Sequence, residues 1–195
     1  MSVYLDLIGS FIIGGMLLLA VLNLNGTLID SSYQNTFDLI VQENLASLVR
    51  LIGYDFRKIG FGVSDPATAI LLADSTRITF QADIDQDGDV DTLRYYTSEP
   101  TAATSTPNPE DRLLYRVVNS EPAEGDAWGV TEFKLRYFDT NGSETGDLGS
   151  IRAIEVSLTV QGAYPYGKIV VEDVEKDRYS LAAWEATFWP RNLIQ

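Results

Sequence analysis

The chain has 195 residues and a formal net charge of −14, from 28 Asp and Glu against 14 Lys and Arg, and it contains neither His nor Cys. Without those two residue types it cannot hold a Ser-His-Asp triad, a Cys/His zinc site, an iron–sulfur cluster or a disulfide. Because the acidic balance repels phosphates, we expect no nucleic-acid partner. Any metal is expected to be a hard cation bound by oxygen.

The longest apolar run lies in the first thirty residues. It extends over 23 residues from Leu7 to Ile29, with no charge between Asp6 and Asp30. A helix needs ~20 such residues to cross a bilayer. A secretory signal peptide is disfavoured because no Lys or Arg precedes the run and no small-residue cleavage site follows it. The run is therefore expected to be a transmembrane helix, and a plain membrane anchor remains an alternative.

Asp6 is unusual because an acid at the margin of a spanning helix costs a few kcal/mol unless it is neutralised. No Lys or Arg occurs before Arg50. The nearest cation is therefore an α-amino group, either its own or that of a neighbouring copy. Gly14 and Gly15 would allow close helix–helix approach and are also a place where the helix can loosen.

A second helical pattern follows Asp30. Its apolar residues recur every three or four positions, as expected for a helix with one buried stripe: Tyr33, Phe37, Val41, Leu45, Leu48, Ile52, Phe56 and Ile59. Gly60 and Gly62 predict its end. No Pro interrupts residues 1–65, so both segments are expected to form one nearly continuous helix of ~60 residues. This division gives a hydrophobic helix at residues 1–29, an amphipathic helix at 30–62 and a head at 63–195.

The head is expected to be an antiparallel β-sheet, which makes the fold class α+β. Runs of β-branched and aromatic residues, bounded by Gly, Pro and Asn-Gly, predict a meander. The expected strands are residues 77–80, 92–97, 113–118, 130–138, 151–160 and 168–174, and the aromatic stretch 179–189 is interpreted as a packing strand. Residues 101–110 and 139–149 are predicted surface loops. The head carries 23 of the 28 acids and 11 of the 14 bases, a charge of −12.

One predicted loop has the pattern of a calcium site. Its acids occupy alternate positions around a Gly, as in D-x-D-x-D-G calcium loops: Asp83, Asp85, Asp87, Asp89 and Asp91. Five carboxylates in nine residues repel one another without a cation. Position 12 is Arg94 rather than a bidentate Glu, so a further ligand would come from water, Glu99 or the loop at 139–147. The sequence predicts a calcium-stabilised hairpin with a structural role, and a solvated acidic turn is the alternative.

No catalytic pattern was found. Acids are numerous, but nothing marks two of them as a matched acid and base. The glycines of Gly60-Phe61-Gly62 lack the Lys and the following helix of a phosphate-binding loop. The chain is therefore expected not to be an enzyme.

The combined pattern resembles the type IV pilin superfamily, most closely its large minor-pilin or pseudopilin group. The resemblance rests on the apolar start SVYLDLIGSFIIGGMLLL, the helix end LIGYDFRKIGFGV, the acidic hairpin DIDQDGDVDTLRYY and the later strands. It implies a subunit that is held in the cytoplasmic membrane and then polymerises into a surface filament by bundling its N-terminal helices. Asp6 matches the family's acid at the fifth mature position when Met1 is discounted, although the family uses Glu there.

The resemblance implies two roles. In the first, the chain is a structural subunit of an extracellular, homo-oligomeric helical filament, and Asp6 neutralises the amine of the next subunit. In the second, it is a minor tip subunit or adhesin with a calcium-stabilised head. Gly14 and Gly15 match in kind the helix-loosening positions of pilins.

Overall fold

The computed structural model describes residues 2–123, 125–171 and 173–193, without the side chains of Ser2, Leu5 and Asp30. The chain divides into two compact units, residues 1–37 and 38–195. One long helix and a seven-stranded antiparallel sheet account for most of the described residues, which confirms the α+β layout.

Helix α1 is continuous from Ser2 to Lys58, a length of 57 residues. The expectation of one unbroken helix is therefore confirmed, although it ends four residues before the predicted boundary at 62. Gly60 and Gly62 follow it with φ of 79° and 77°, a backbone region that Gly adopts more readily than other residues. The Gly60 N–H donates to the carbonyl of Gln81 at 2.9 Å, so the chain turns directly onto the sheet.

The sheet is a meander in which each strand pairs with the next strand along the chain. Its strands are β1 (Ile70–Asp74), β2 (Arg77–Ala82), β3 (Asp91–Thr97), β4 (Arg112–Val118), β5 (Gly125–Phe138), β6 (Ala153–Val171) and β7 (Val174–Phe188). The sheet curls so that the turn after β1 reaches β5, where the Leu135 N–H donates to the carbonyl of Ser75 at 2.8 Å. Short 3₁₀ helices occupy Pro66–Thr68, Pro100–Ala102, Leu148–Ser150 and Arg191–Leu193.

The core of the second unit lies between the C-terminal part of α1 and the concave face of the sheet. The helix and the residue that follows it, Ile59, contribute side chains that are at most 2% exposed: Val41, Leu48, Ile52, Phe56 and Ile59. The Phe56 ring makes edge contacts with Phe80, Tyr95 and Phe188 at centroid distances of 5.6–5.7 Å. The predicted buried stripe is present from Val41 onward, but Tyr33 is 63% exposed.

The strand predictions differ from the structure in several places. Strand β5 begins at Gly125 rather than at residue 130. Strand β1 was not predicted, because its residues, ILLAD, do not alternate between apolar and polar.

The predicted strand at 168–174 is wrong, because that range runs from the end of β6 into the start of β7. The predicted strand at 151–160 belongs to β6, which begins at Ala153 and continues through Pro165 and Gly167 with register shifts at both residues. Such bulges let a strand pass residues that usually interrupt one.

Candidate functional sites: the apolar helix and the acidic hairpin

The N-terminal part of α1 exposes its apolar side chains. Sixteen large apolar side chains that the structure describes from Val3 to Ile29 are each 47–77% exposed. Helix α1 contains a stretch long and apolar enough to cross a membrane, and none of that stretch is buried. Full burial of one such side chain stabilises by about 1.5–3 kcal/mol, so the set offers tens of kcal/mol for insertion into lipid or for packing.

Small and hydroxylated residues along this part of the helix suit a close-packed apolar environment. A Cβ built on Gly9, Gly14 or Gly15 would meet nothing within 4 Å, so these positions leave open notches on the helix surface. The Ser10 and Thr27 hydroxyls donate to the carbonyls four residues earlier, at 2.8 and 3.0 Å. Because these donors are satisfied within the helix, they add no unpaired polar group to an apolar interface.

Asp6 lies on this surface and is exposed. Its side chain has no ion-pair partner among residues 2–123, 125–171 and 173–193. An acid on an otherwise apolar helix needs such a partner once water is removed. The predicted partner, an α-amino group, lies outside the described residues.

The acidic loop joins β2 to β3, as the sequence predicts. Asp83 is 6% exposed, and its two oxygens accept from the N–H groups of Gln86 (2.7 Å) and Gly88 (3.2 Å). Gln86 and Gly88 have positive φ, 67° and 99°, which turns the loop around that carboxylate. Asp91 accepts from the Ile84 N–H at 3.1 Å and therefore closes the other end of the loop.

Three of the five predicted ligands converge. One oxygen from each of Asp83, Asp85 and Asp91 lies within 4.8 Å of the other two. Calcium binds oxygens at 2.3–2.6 Å, so oxygens on opposite sides of one ion are about 5 Å apart, and this spacing fits. Asp87 and Asp89 are exposed and lie outside the group; the Asp87 carboxylate accepts from the Asp89 N–H at 2.8 Å.

One predicted source of a further ligand, Glu99, is placed unfavourably. Glu99 lies beyond the opposite end of β3, which at ~3.3 Å per residue is roughly 20 Å long, so Glu99 is not positioned to complete the group. Arg94 at position 12 donates to the carbonyl of Asn119 at 3.2 Å. The Asn119 amide instead donates to Asp91 at 2.6 Å and orients that carboxylate.

The acidic loop is anchored to the C-terminal end of α1. The carbonyl of Ile84 accepts hydrogen bonds from the Tyr54 hydroxyl and the Lys58 ammonium. The Lys58 Nζ also lies 4.5 Å from the centre of the Tyr54 ring. Folding of the loop is therefore coupled to the end of the helix. A cation bound in the loop would for this reason also stabilise the packing of the helix in the second unit.

No family model, curated protein or solved structure matches this chain.

A buried polar cluster was missed by the sequence analysis. Asp55 is fully buried on α1, and its two oxygens accept from the Arg116 guanidinium at 2.6 and 3.2 Å. The Tyr95 hydroxyl donates to the same carboxylate, and burial raises the Tyr95 pKa well above its usual range. One signal was available, because Asp55 lies within the apolar stripe between Ile52 and Phe56. The cluster connects the helix to β3 and β4 and is satisfied internally, so we assign it a structural role.

Proposed function

We propose that the chain is the structural subunit of a type IV pilus-like filament on the cell surface, polymerised through its N-terminal helix. The observation that carries the proposal is the run of sixteen exposed apolar side chains on a helix that continues into a packed head. This surface has to be covered by lipid or by other helices. The cytoplasmic membrane would cover it first, and bundled copies of the same helix would cover it after assembly.

Asp6 supplies the specific element of this proposal. In a bundle of apolar helices, a carboxylate without a counter-charge opposes assembly, whereas a carboxylate beside a neighbour's α-amino group sets the register of the contact. The open notches at Gly14 and Gly15 would let helix backbones approach closely. An ordinary membrane anchor needs neither feature, and this difference separates the two readings.

Charge substitution at Asp6 tests the proposal. Asp6→Ala is expected to leave the head folded and to block or greatly slow fibre formation, while Asp6→Glu retains the charge and the fibres. Asp38→Ala is the matched control, because Asp38 is an exposed acid on the same helix. Fibre yield is measured by negative-stain microscopy and sedimentation, and head folding by near-UV circular dichroism. Normal yield from Asp6→Ala would contradict the assigned role of Asp6.

The second candidate role is a minor tip subunit or adhesin. The acidic hairpin supports it as a feature that would stabilise the head. Such a protein would need a stable exposed head and would not build fibres by itself. The two roles differ in stoichiometry. A major subunit forms whole fibres alone, and a tip subunit appears at a few copies per fibre made from another chain.

In either role, we propose that Asp83, Asp85 and Asp91 bind a structural calcium ion. A cation would offset the mutual repulsion of these carboxylates and hold together the hairpin that contacts the end of α1. Calcium at 100 times its dissociation constant stabilises by about 2.7 kcal/mol, or about 5–10 °C in melting temperature for a domain of this size.

The test compares two acids of the same loop. Calcium is expected to raise the melting temperature of the wild-type chain, and EDTA to reverse the rise. Asp85→Asn should remove most of that response, because an Asn oxygen can still accept from the Asp87 N–H (3.3 Å) while the charge is lost. Asp87→Asn lies outside the three-carboxylate group and should respond like the wild type. Identical melts with calcium and with EDTA would exclude the site.

A further inference from the structure

The β6–β7 hairpin extends beyond the rest of the sheet as a two-stranded arm. Strand β5 pairs with β6 only as far as Val160, so from Gln161 to Val171 the described neighbour of β6 is β7. An isolated two-stranded ribbon is marginally stable in water. This arm nevertheless ends in three exposed valines, Val170 (67%), Val171 (41%) and Val174 (55%).

The tip of the arm is therefore apolar and carries negative charge. Val171 pairs directly with Val174 across the two strands, and exposed Asp173 lies in the turn between them with φ of 63°. The Asp173 side chain has no ion-pair partner among the described residues. We define Val170, Val171, Asp173 and Val174 as the arm tip.

A groove with the complementary composition lies at the other end of β7. It runs between α1 and the edge of the sheet and has a volume of about 600 Å³. Its walls combine apolar, aromatic and basic residues: Gly53, Arg57, Trp184, Phe188, Trp189 and Arg191. Trp189 is 53% exposed, and the Trp184 and Phe188 rings lie 5.9 Å apart.

The two arginines of this groove are unusual in so acidic a protein. Arg57 and Arg191 are exposed, and neither guanidinium has an ion pair or a hydrogen bond to another residue that the structure describes. By contrast, Arg77, Arg116 and Arg136 are all paired with acids. A groove with aromatic walls and two unpaired cations suits an apolar segment that carries an acid.

The arm tip cannot occupy the groove of its own chain. Val174 and Phe188 are the two ends of one strand, fourteen residues apart, which corresponds to roughly 45 Å of extended chain. A contact between tip and groove must therefore join two copies. Because the two surfaces differ, that contact is head-to-tail, and head-to-tail contacts that do not close into a ring propagate into open polymers.

We propose that the arm tip of one subunit docks into the groove of the next, with Asp173 facing Arg57 and Arg191. The inference rests on the proposed function, because the filament supplies the neighbouring copy. It adds a second contact, between heads, to the one between N-terminal helices. The occupant is another copy of this chain, and the contact buries the exposed valines against Trp184 and Trp189.

Cysteine cross-linking of the full-length chain tests the contact directly, since the natural sequence has no Cys. Val174→Cys places a thiol on the tip and Thr187→Cys places one at the groove, and both positions are exposed. Mild oxidation of the double variant should give a ladder of covalent multimers. The control pairs Val174→Cys with Thr140→Cys, an exposed position outside the groove, and should give at least about tenfold less.

Charge reversal sharpens the assignment. In the cross-linking variant, Arg57→Glu should lower the ladder yield by up to about fivefold, the upper end of the range expected for an exposed ion pair. Adding Asp173→Arg should restore part of the loss. Equal yields from all three variants would contradict the pairing of Asp173 with Arg57.

Microscopy of the same samples separates this inference from the proposed function. Fibres without a ladder overturn the docking of arm into groove and leave the filament intact. A ladder without fibres supports the docking contact and overturns the filament. If the samples show neither fibres nor a ladder, both the docking contact and the filament are overturned.

Discussion

The two parts of helix α1 differ in the arrangement of their apolar residues and in their environments: the first part is an almost continuous apolar run, and the second has one apolar stripe. In residues 38–58 the buried stripe reaches 2% exposure or less, whereas the large apolar side chains before residue 30 are at least 47% exposed. A Cβ built on Gly53 would lie 3.7 Å from the Phe188 ring, while one built on Gly14 would meet nothing within 4 Å. One helix thus has one packed face and one apolar surface that the described residues leave exposed.

The acids of the helix show the same difference. Asp55 is buried and bound by Arg116 and Tyr95, so its charge is compensated within the chain. Asp6 has no ion-pair partner among the described residues. The sheet covers the apolar stripe in the second part of the helix. If other copies cover the first part in the same way, Asp6 requires a partner from another copy.

The largest expected effect is at the buried acid. Asp55→Ala leaves the Arg116 guanidinium and the Tyr95 hydroxyl without their shared acceptor, and removing one partner of a buried pair costs about 3–5 kcal/mol. We expect the head to lose about 6–20 °C in melting temperature. Asp6→Ala should leave the melting temperature of the head unchanged when both variants are measured in one detergent. A head that tolerates Asp55→Ala would show that the cluster does not hold α1 to the sheet.

Two phenylalanines on the same helix provide the next comparison. Phe56→Ala removes the ring at the centre of three aromatic contacts and should cost about 3–5 kcal/mol of head stability. Phe11 is 77% exposed, so Phe11→Ala should leave the head melt unchanged and reduce fibre yield. Thermal denaturation and sedimentation separate the two effects. Loss of head stability in Phe11→Ala would mean that the first part of α1 has a packing partner in the monomer.

The smallest expected effect concerns two acids of the head with opposite pKa shifts. Burial raises the pKa of Asp111, so Asp111 costs stability once the pH rises above the normal carboxyl pKa. Asp111→Asn should therefore raise the melting temperature at pH 7, and should have no such effect at pH 3.

Asp139 is the control of opposite sign. The backbone N–H of Ser143, at 2.9 Å, is the main group that lowers its pKa, with Asn141 contributing. Its stabilising contribution is therefore present at neutral pH and is lost as the pH falls through the lowered pKa. Asp139→Asn should lower the melting temperature at pH 7, with little change at pH 2. The same sign of effect for both variants at pH 7 would contradict this assignment.

The sequence predicted the elements that depend on local patterns. The long helix, the acidic turn between β2 and β3 and the order of the meander follow from periodicity and from the positions of Gly and Pro. The pairing of Asp55 with Arg116 joins residues 61 positions apart and has no periodic signal. The arm was likewise missed, because Pro165 and Gly167 suggest a break in a strand that in fact continues through bulges.

The acidic site was predicted only in part, for a related reason. Spacing identified five candidate ligands, but the positive φ of Gln86 and Gly88 determines which carboxylates converge. Asp91 joins Asp83 and Asp85 because β3 begins there, next to the end of β2. Glu99 was a candidate only while the direction of β3 was unknown.

The most direct test of the central claim is to remove detergent from the purified full-length chain and measure its mass distribution by sedimentation, with negative-stain microscopy of each fraction. We expect fibres, with almost no monomer remaining in solution, because the apolar surface before residue 30 is then covered by other copies. A stable monomer in detergent-free buffer, with its first thirty residues intact by mass spectrometry, would contradict the account.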